Sequence, residues 1–187
     1  MTQEDFVKGA LEDCQQTIRA LDVKCGAVLV VLLAPLPFMA SILKTIEGLG
    51  SPYIWISTAL AFGGLWAFAI VTMLRALAPL DNPANHIPNT SSATGAYYRS
   101  GMYTMSFGDA LFNRPVIKST LHLTDAVAQL PSHGSQLITE LTFEHMKVCY
   151  IRDVKLSLLR VGFRLTQVWL LLGIGIFVVA RYKGVAP

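Results

Sequence analysis

The side chains able to do chemistry in this chain are few, and most of them are cationic. Lys147, Arg152, Lys155, Arg160 and Arg164 recur along the stretch EHMKVCYIRDVKLSLLRVGFRL, with Asp153 the one acidic residue between Lys147 and Arg164. Repeated around a symmetry axis, such residues would form a ring favouring an anion, for example a nucleotide or oligonucleotide phosphate. Taken singly, they hold a helix against anionic lipid. A second group lies in AYYRSGMY, where Tyr97, Tyr98 and Tyr103 surround Arg99. Aromatic rings beside a guanidinium suit base stacking with phosphate contact, and equally an aromatic belt at a membrane interface. The candidates for phosphate or nucleotide binding are therefore Arg99, Tyr97, Tyr98, Lys147, Arg152 and Lys155.

Other chemistries find little support. There is no Walker loop and no nucleophile elbow, and GLGSPY and GIGIF read as turn and helix-packing glycines. The three cysteines, Cys14, Cys25 and Cys149, match no zinc spacing. Each is expected to pack, and to stay reduced on a cytoplasmic side. Glu144, His145 and Asp153 could be drawn as a metal site, but adjacent residues on a helix diverge by about 100°. No metal, no cofactor and no enzymatic activity are expected.

The elements that must position these residues are membrane-like. The chain has 187 residues, 53% hydrophobic and only 14% charged, where soluble domains carry about 25% charge. The deficit is concentrated: Gly26–Leu43, Tyr53–Leu74 and Leu165–Ala180 hold no charge over 18, 22 and 16 residues. A spanning helix needs roughly 17–25 apolar residues. Pro35 and Pro37 should kink the first segment. The third is short, but Arg164 and Arg181 can snorkel to the interfaces. A buried core helix is the alternative for the second and third. Of the 15 basic residues, only Lys44, Arg181 and Lys183 would lie outside if the amino terminus and the long middle region face inward. The expected fold is all-α: three transmembrane helices, amino terminus cytoplasmic, with long first and last helices extending into a small cytoplasmic helical region.

Four regions follow. Residues 1–24 form a cytoplasmic amphipathic helix with a seam of Val7, Leu11, Cys14, Ile18 and Leu21, continuing to Cys25, at alternating steps of four and three. That seam suits docking on another helix of the same chain, or an intersubunit contact. Residues 25–78 form a two-span hairpin that reverses at KTIEGLGSPY. Residues 79–133 are a proline-punctuated, loop-rich cytoplasmic region, with weak helical pieces near Ala96–Leu111 and Lys118–Gln129 and no room for an independent enzyme domain. Residues 134–183 form one long helix, half cytoplasmic and half the third span. The cytoplasmic half alternates apolar and charged stripes, which asks for more than one neighbour. A symmetry mate supplies one in a cyclic homo-oligomer, a tetramer being one candidate; wrapping by 79–133 is the alternative.

Three pieces of this layout resemble a known family. They are ALDVKCGAVLVVLLA, with Asp22 and Lys24 leading into the first span; MLRALAPLDNP at the exit of the second; and ELTFEHMKVCYIRDVKLSLLRVGF, with Lys155, Leu159 and Arg160 before the last. Together they are similar to the small transmembrane effectors of bacterial anti-phage nucleotide-signalling systems, of the Pycsar type, and in plan to the Hailong membrane effector. Residues 85–133 depart from that pattern, so the ligand does not carry over. The resemblance implies a homo-oligomeric, multi-pass effector of the bacterial inner membrane. It would disrupt membrane integrity or conduct ions under control of a nucleotide or short single-stranded DNA, made by a partner nucleotidyltransferase or cyclase. The alternative is a structural or scaffolding membrane protein without a nucleotide ligand.

Overall fold

The computed structural model describes residues 2–48, 50–79, 83–88, 93, 95, 119, 122–128, 130–131 and 134–184. It is all-helical. α1 runs Gln3–Leu33, α2 Met39–Glu47, α3 Pro52–Leu77, α4 Leu123–Ala128 and α5 Gly134–Tyr182. Short 3-10 turns lie at Leu36–Phe38 and Pro83–His86. The long last helix matches the sequence expectation to within a residue at each end. Of the piece expected near Lys118–Gln129 the structure describes α4, with 118, 120–121 and 129 outside the described residues, as is Ala96–Leu111.

Two compact units share these helices: Met1–Gln16 with Leu80–Ile151, and Thr17–Pro79 with Arg152–Pro187. In the first unit, α1 begins with a reciprocal cap. The Asp5 backbone N–H donates to Thr2 Oγ1 at 3.1 Å, and the Thr2 hydroxyl donates to Asp5 Oδ2 at 2.7 Å. The Thr2 hydroxyl and then its backbone N–H hold the Asp5 carboxyl below the usual carboxylate range. In the same unit, the His86 ring stacks on Tyr150 with centroids 4.5 Å apart, tying the second 3-10 turn to α5.

The second unit is built by a helix break. Pro35 and Pro37 lack the N–H groups that the Val31 and Leu33 carbonyls would otherwise accept. The sequence suggests a kink; the structure shows a stop at Leu33, a 3-10 turn and a fresh helix, α2. Beside this break, where α1 ends, the Trp66 indole Nε1 donates to the Leu32 carbonyl at 2.7 Å. After Gly48 the chain reverses, and extended Ser51 starts α3 with Pro52 in its first turn. The core then gathers Leu32, Ile46, Phe62, Ala69, Met73 and Trp169. Small residues let the backbones close up. A Cβ placed on Gly162 would collide with the Met73 side chain and sit 3.4 Å from Thr72 Cγ2. Thr72 and Thr166 turn their hydroxyls back onto the carbonyls of Phe68 and Gly162, each at 2.8 Å.

Three helical segments, Gln3–Glu47, Pro52–Leu77 and Gly134–Tyr182, are long and apolar enough to cross a membrane. Only 6%, 11% and 22% of their most apolar windows are buried inside the protein. A core helix would show the reverse, so the chain does not cover these faces with its own residues. Leu60, Phe68, Leu171 and Phe177, all more than half exposed, illustrate the point. That surface is penalised by water and accepted by lipid, which is consistent with a multi-pass membrane protein.

Two outcomes are expected in detergent. Trp66→Phe leaves a carbonyl unpaired in apolar surroundings and should destabilise by about 1–2 kcal/mol. Trp169→Phe should cost less, because its indole N–H has no acceptor among the described residues. Denaturation monitored by circular dichroism compares them. Gly162→Leu should lower stability by about 1–3 kcal/mol through overpacking, with partial recovery when Met73→Ala is added, read as a thermal midpoint.

Candidate functional site

Of the residues selected from sequence, Arg99, Tyr97 and Tyr98 lie outside the described residues. The remaining three sit on α5, and each faces a carboxylate. In the first unit, Lys147 donates to Glu144 Oε1 at 2.5 Å, one helical turn away. The two side chains are only 4% and 9% exposed, and the Lys147 ammonium also stands 4.7 Å from the Phe143 ring centroid. A buried ammonium needs such compensation, since charge transferred from water without a partner costs several kcal/mol. In the second unit, Lys155 is buried and donates to Asp22 of α1. Arg152 pairs with its neighbour Asp153 at 2.9 Å and keeps about a third of its side chain exposed. Arg160 and Arg164 are exposed. Thus Lys147 and Lys155 are each buried against a carboxylate, and Arg152 is the least buried of the three.

The seam of α1 meets α5 of the same chain at the points the two units describe. Cys14 is buried against α5 in the first unit, and Leu21 and Cys25 are buried in the second, next to the turn that carries Asp22. Val7, Leu11 and Ile18 are half-buried. Intrachain docking, one of the two uses open to this seam, is therefore realised along part of it.

A cluster that the spacing rules passed over lies in the first unit. Cys14 Sγ is 3.5 Å from Cys149 Sγ and 3.8 Å from His145 Nε2, and Cys149 Sγ is 3.4 Å from the same nitrogen. Cys14 is 3% exposed, and His145 and Cys149 are half-buried. His145 and Cys149 share a face of α5 because they are four residues apart; Cys14 arrives from α1, 135 residues earlier than Cys149. The local signal available in the sequence was the His-x-x-x-Cys step alone. Of the other residues once weighed as ligands beside His145, Glu144 holds Lys147 and Asp153 holds Arg152.

Comparisons with protein-family models, with curated proteins and with solved structures return no match for this chain. Its function is therefore argued from its own residues.

The Lys155–Asp22 pair has a measurable consequence. Asp22→Asn strands a lysine whose side chain is 10% exposed, with an expected loss of about 1–3 kcal/mol, between exposed and buried pairs. Replacing both partners, Asp22→Leu with Lys155→Met, should recover most of it. A double-mutant cycle on thermal stability in detergent checks both statements.

Proposed function

We propose that the protein is a homo-oligomeric membrane effector of the anti-phage type that its sequence resembles. Three apolar helices insert in the bacterial inner membrane, with the amino terminus inside. The helical region outside the bilayer responds to a nucleotide or short single-stranded DNA by altering membrane integrity or ion conduction. A partner nucleotidyltransferase or cyclase supplies the signal.

The observation that supports this reading is exposed apolar surface on segments that also carry charge. In the first unit, away from the charge-free segments, Phe6 is 62% exposed and Met146 45%. A groove of about 470 Å³ runs beside Phe6, lined also by Thr2, Gln3, Val7 and Ile138. Outside a membrane, such surface is covered by another protein surface, most simply a second copy. Of Lys147, Arg152 and Lys155, Arg152 is the least buried and the one a phosphate would reach most easily.

A second reading, a scaffolding membrane protein with no nucleotide ligand, is favoured by one observation. Lys147 and Lys155 already have carboxylate partners, so a phosphate would have to displace them.

Native mass measurement in detergent separates the two. The effector reading expects an oligomer that Phe6→Glu with Met146→Glu dissociates. It also expects binding of a labelled single-stranded oligonucleotide or cyclic nucleotide that weakens as salt rises and is reduced at least tenfold by Arg152→Glu. A monomer, or no salt-dependent affinity for either probe, overturns it. In expressing cells, reversing Arg152 and Lys155 should change toxicity; unchanged survival favours the scaffold.

A further inference from the structure

We propose that Cys14, His145 and Cys149 form a binding site for a thiophilic divalent metal ion, zinc, which ties α1 to α5 within the first unit.

The donor set is the first reason. Two thiols and an imidazole nitrogen lie within 4.8 Å of one another. Both sulfurs approach the same atom, His145 Nε2, at 3.4 and 3.8 Å. The sulfurs come from two different helices, and with the imidazole they present three metal-binding donor atoms to one small space.

The edges of the triangle are the second reason. Around tetrahedral zinc, with bonds of about 2.3 Å to sulfur and about 2.0–2.1 Å to nitrogen, sulfur–sulfur edges come to about 3.8 Å and sulfur–nitrogen edges to about 3.6 Å. The observed edges are 3.5, 3.4 and 3.8 Å, each within about 0.3 Å of that geometry. An ion fits with only small side-chain adjustment.

Charge is the third. Two thiolates and a neutral imidazole bring zinc to zero net charge, which suits a site where Cys14 is 3% exposed. A monovalent copper ion would leave a net negative charge there. Binding releases the two thiol protons to solvent and leaves the fourth coordination position to water or another donor. The nearby ammonium of Lys147 does not upset this balance, because Glu144 neutralises it. The site requires neither the oligomer nor the nucleotide of the preceding section, so its failure and theirs are separately visible.

The test uses the full chain in detergent, purified with reductant and loaded with zinc or cobalt. About one zinc per chain is expected. Cobalt should give thiolate charge-transfer bands and the intense visible bands of a tetrahedral centre. Cys14→Ser and Cys149→Ser should each remove the charge-transfer intensity in part, and the double variant all of it. His145→Ala should shift the visible bands. The wild-type chain supplies a measurement that needs no variant to fold: zinc should protect Cys14 and Cys149 from alkylation at least tenfold, a chelator should restore their reactivity, and Cys25, fully buried in the second unit, should be indifferent to both. Zinc content well below one per chain after loading, the same cobalt spectrum in the double serine variant, or alkylation rates unmoved by zinc would each overturn the proposal. So would a Cys14–Cys149 disulfide that persists through purification with reductant.

Discussion

Lys155 is buried in a helix interface, and its ammonium is tolerable there only because Asp22 reaches it from α1. The pair sets the register of α1 against α5 in the second unit. A slip of one residue along either helix would rotate a partner by about 100° and leave a charge without compensation. With that register held, Leu21 and Cys25 turn inward, and part of the seam of α1 is buried. Glu144 and Lys147 do comparable work within one turn of α5 in the first unit. Much of the charge that makes the approach to the last apolar segment look unsuited to it is consumed in this way.

A different constraint shapes the apolar part. The described residues leave most of the surface of the three apolar helices exposed. In such surroundings every polar backbone group must find a partner nearby. Beside the Pro35–Pro37 break, the Trp66 indole donates to the Leu32 carbonyl. Thr72 and Thr166 satisfy their own hydroxyls within their helices. Trp169 is the exception: it stacks on Phe62 with centroids 5.3 Å apart while its N–H finds no acceptor among the described residues. Packing there outweighs the lost hydrogen bond.

These engagements narrow what the basic residues can offer a ligand. A phosphate competes poorly for an ammonium that is buried and already bound to a carboxylate, because the incoming anion would have to desolvate and leave the displaced carboxylate buried. Arg152, about a third exposed beside Asp153, carries less of that penalty. The thiol–imidazole cluster is of a different kind, since it gathers two sulfurs and an imidazole nitrogen within 4.8 Å, and the proposed cation would complete rather than disturb it.

Much of the fold was legible in the sequence. Charge-free segments, proline placement and the absence of Pro and Gly from Ser135 until Gly162 are local properties, and local properties decide where helices start, stop and turn apolar. They located α3, α5 and the reversal before α3, and they flagged the prolines where α1 ends. The residue types also marked Lys147, Arg152 and Lys155 as worth attention. What they could not decide was occupancy: whether a lysine faces solvent, lipid or a carboxylate depends on which helix lies opposite, and Asp22 is 133 residues from Lys155. The same holds for Cys14 and Cys149. Metal-ligand spacing is read along one segment, whereas these donors come from two helices that only tertiary packing brings side by side. The sequence determined the helices and the solvent each part requires; the tertiary structure alone decided the partners, because partners are set by register between distant segments and not by periodicity within one.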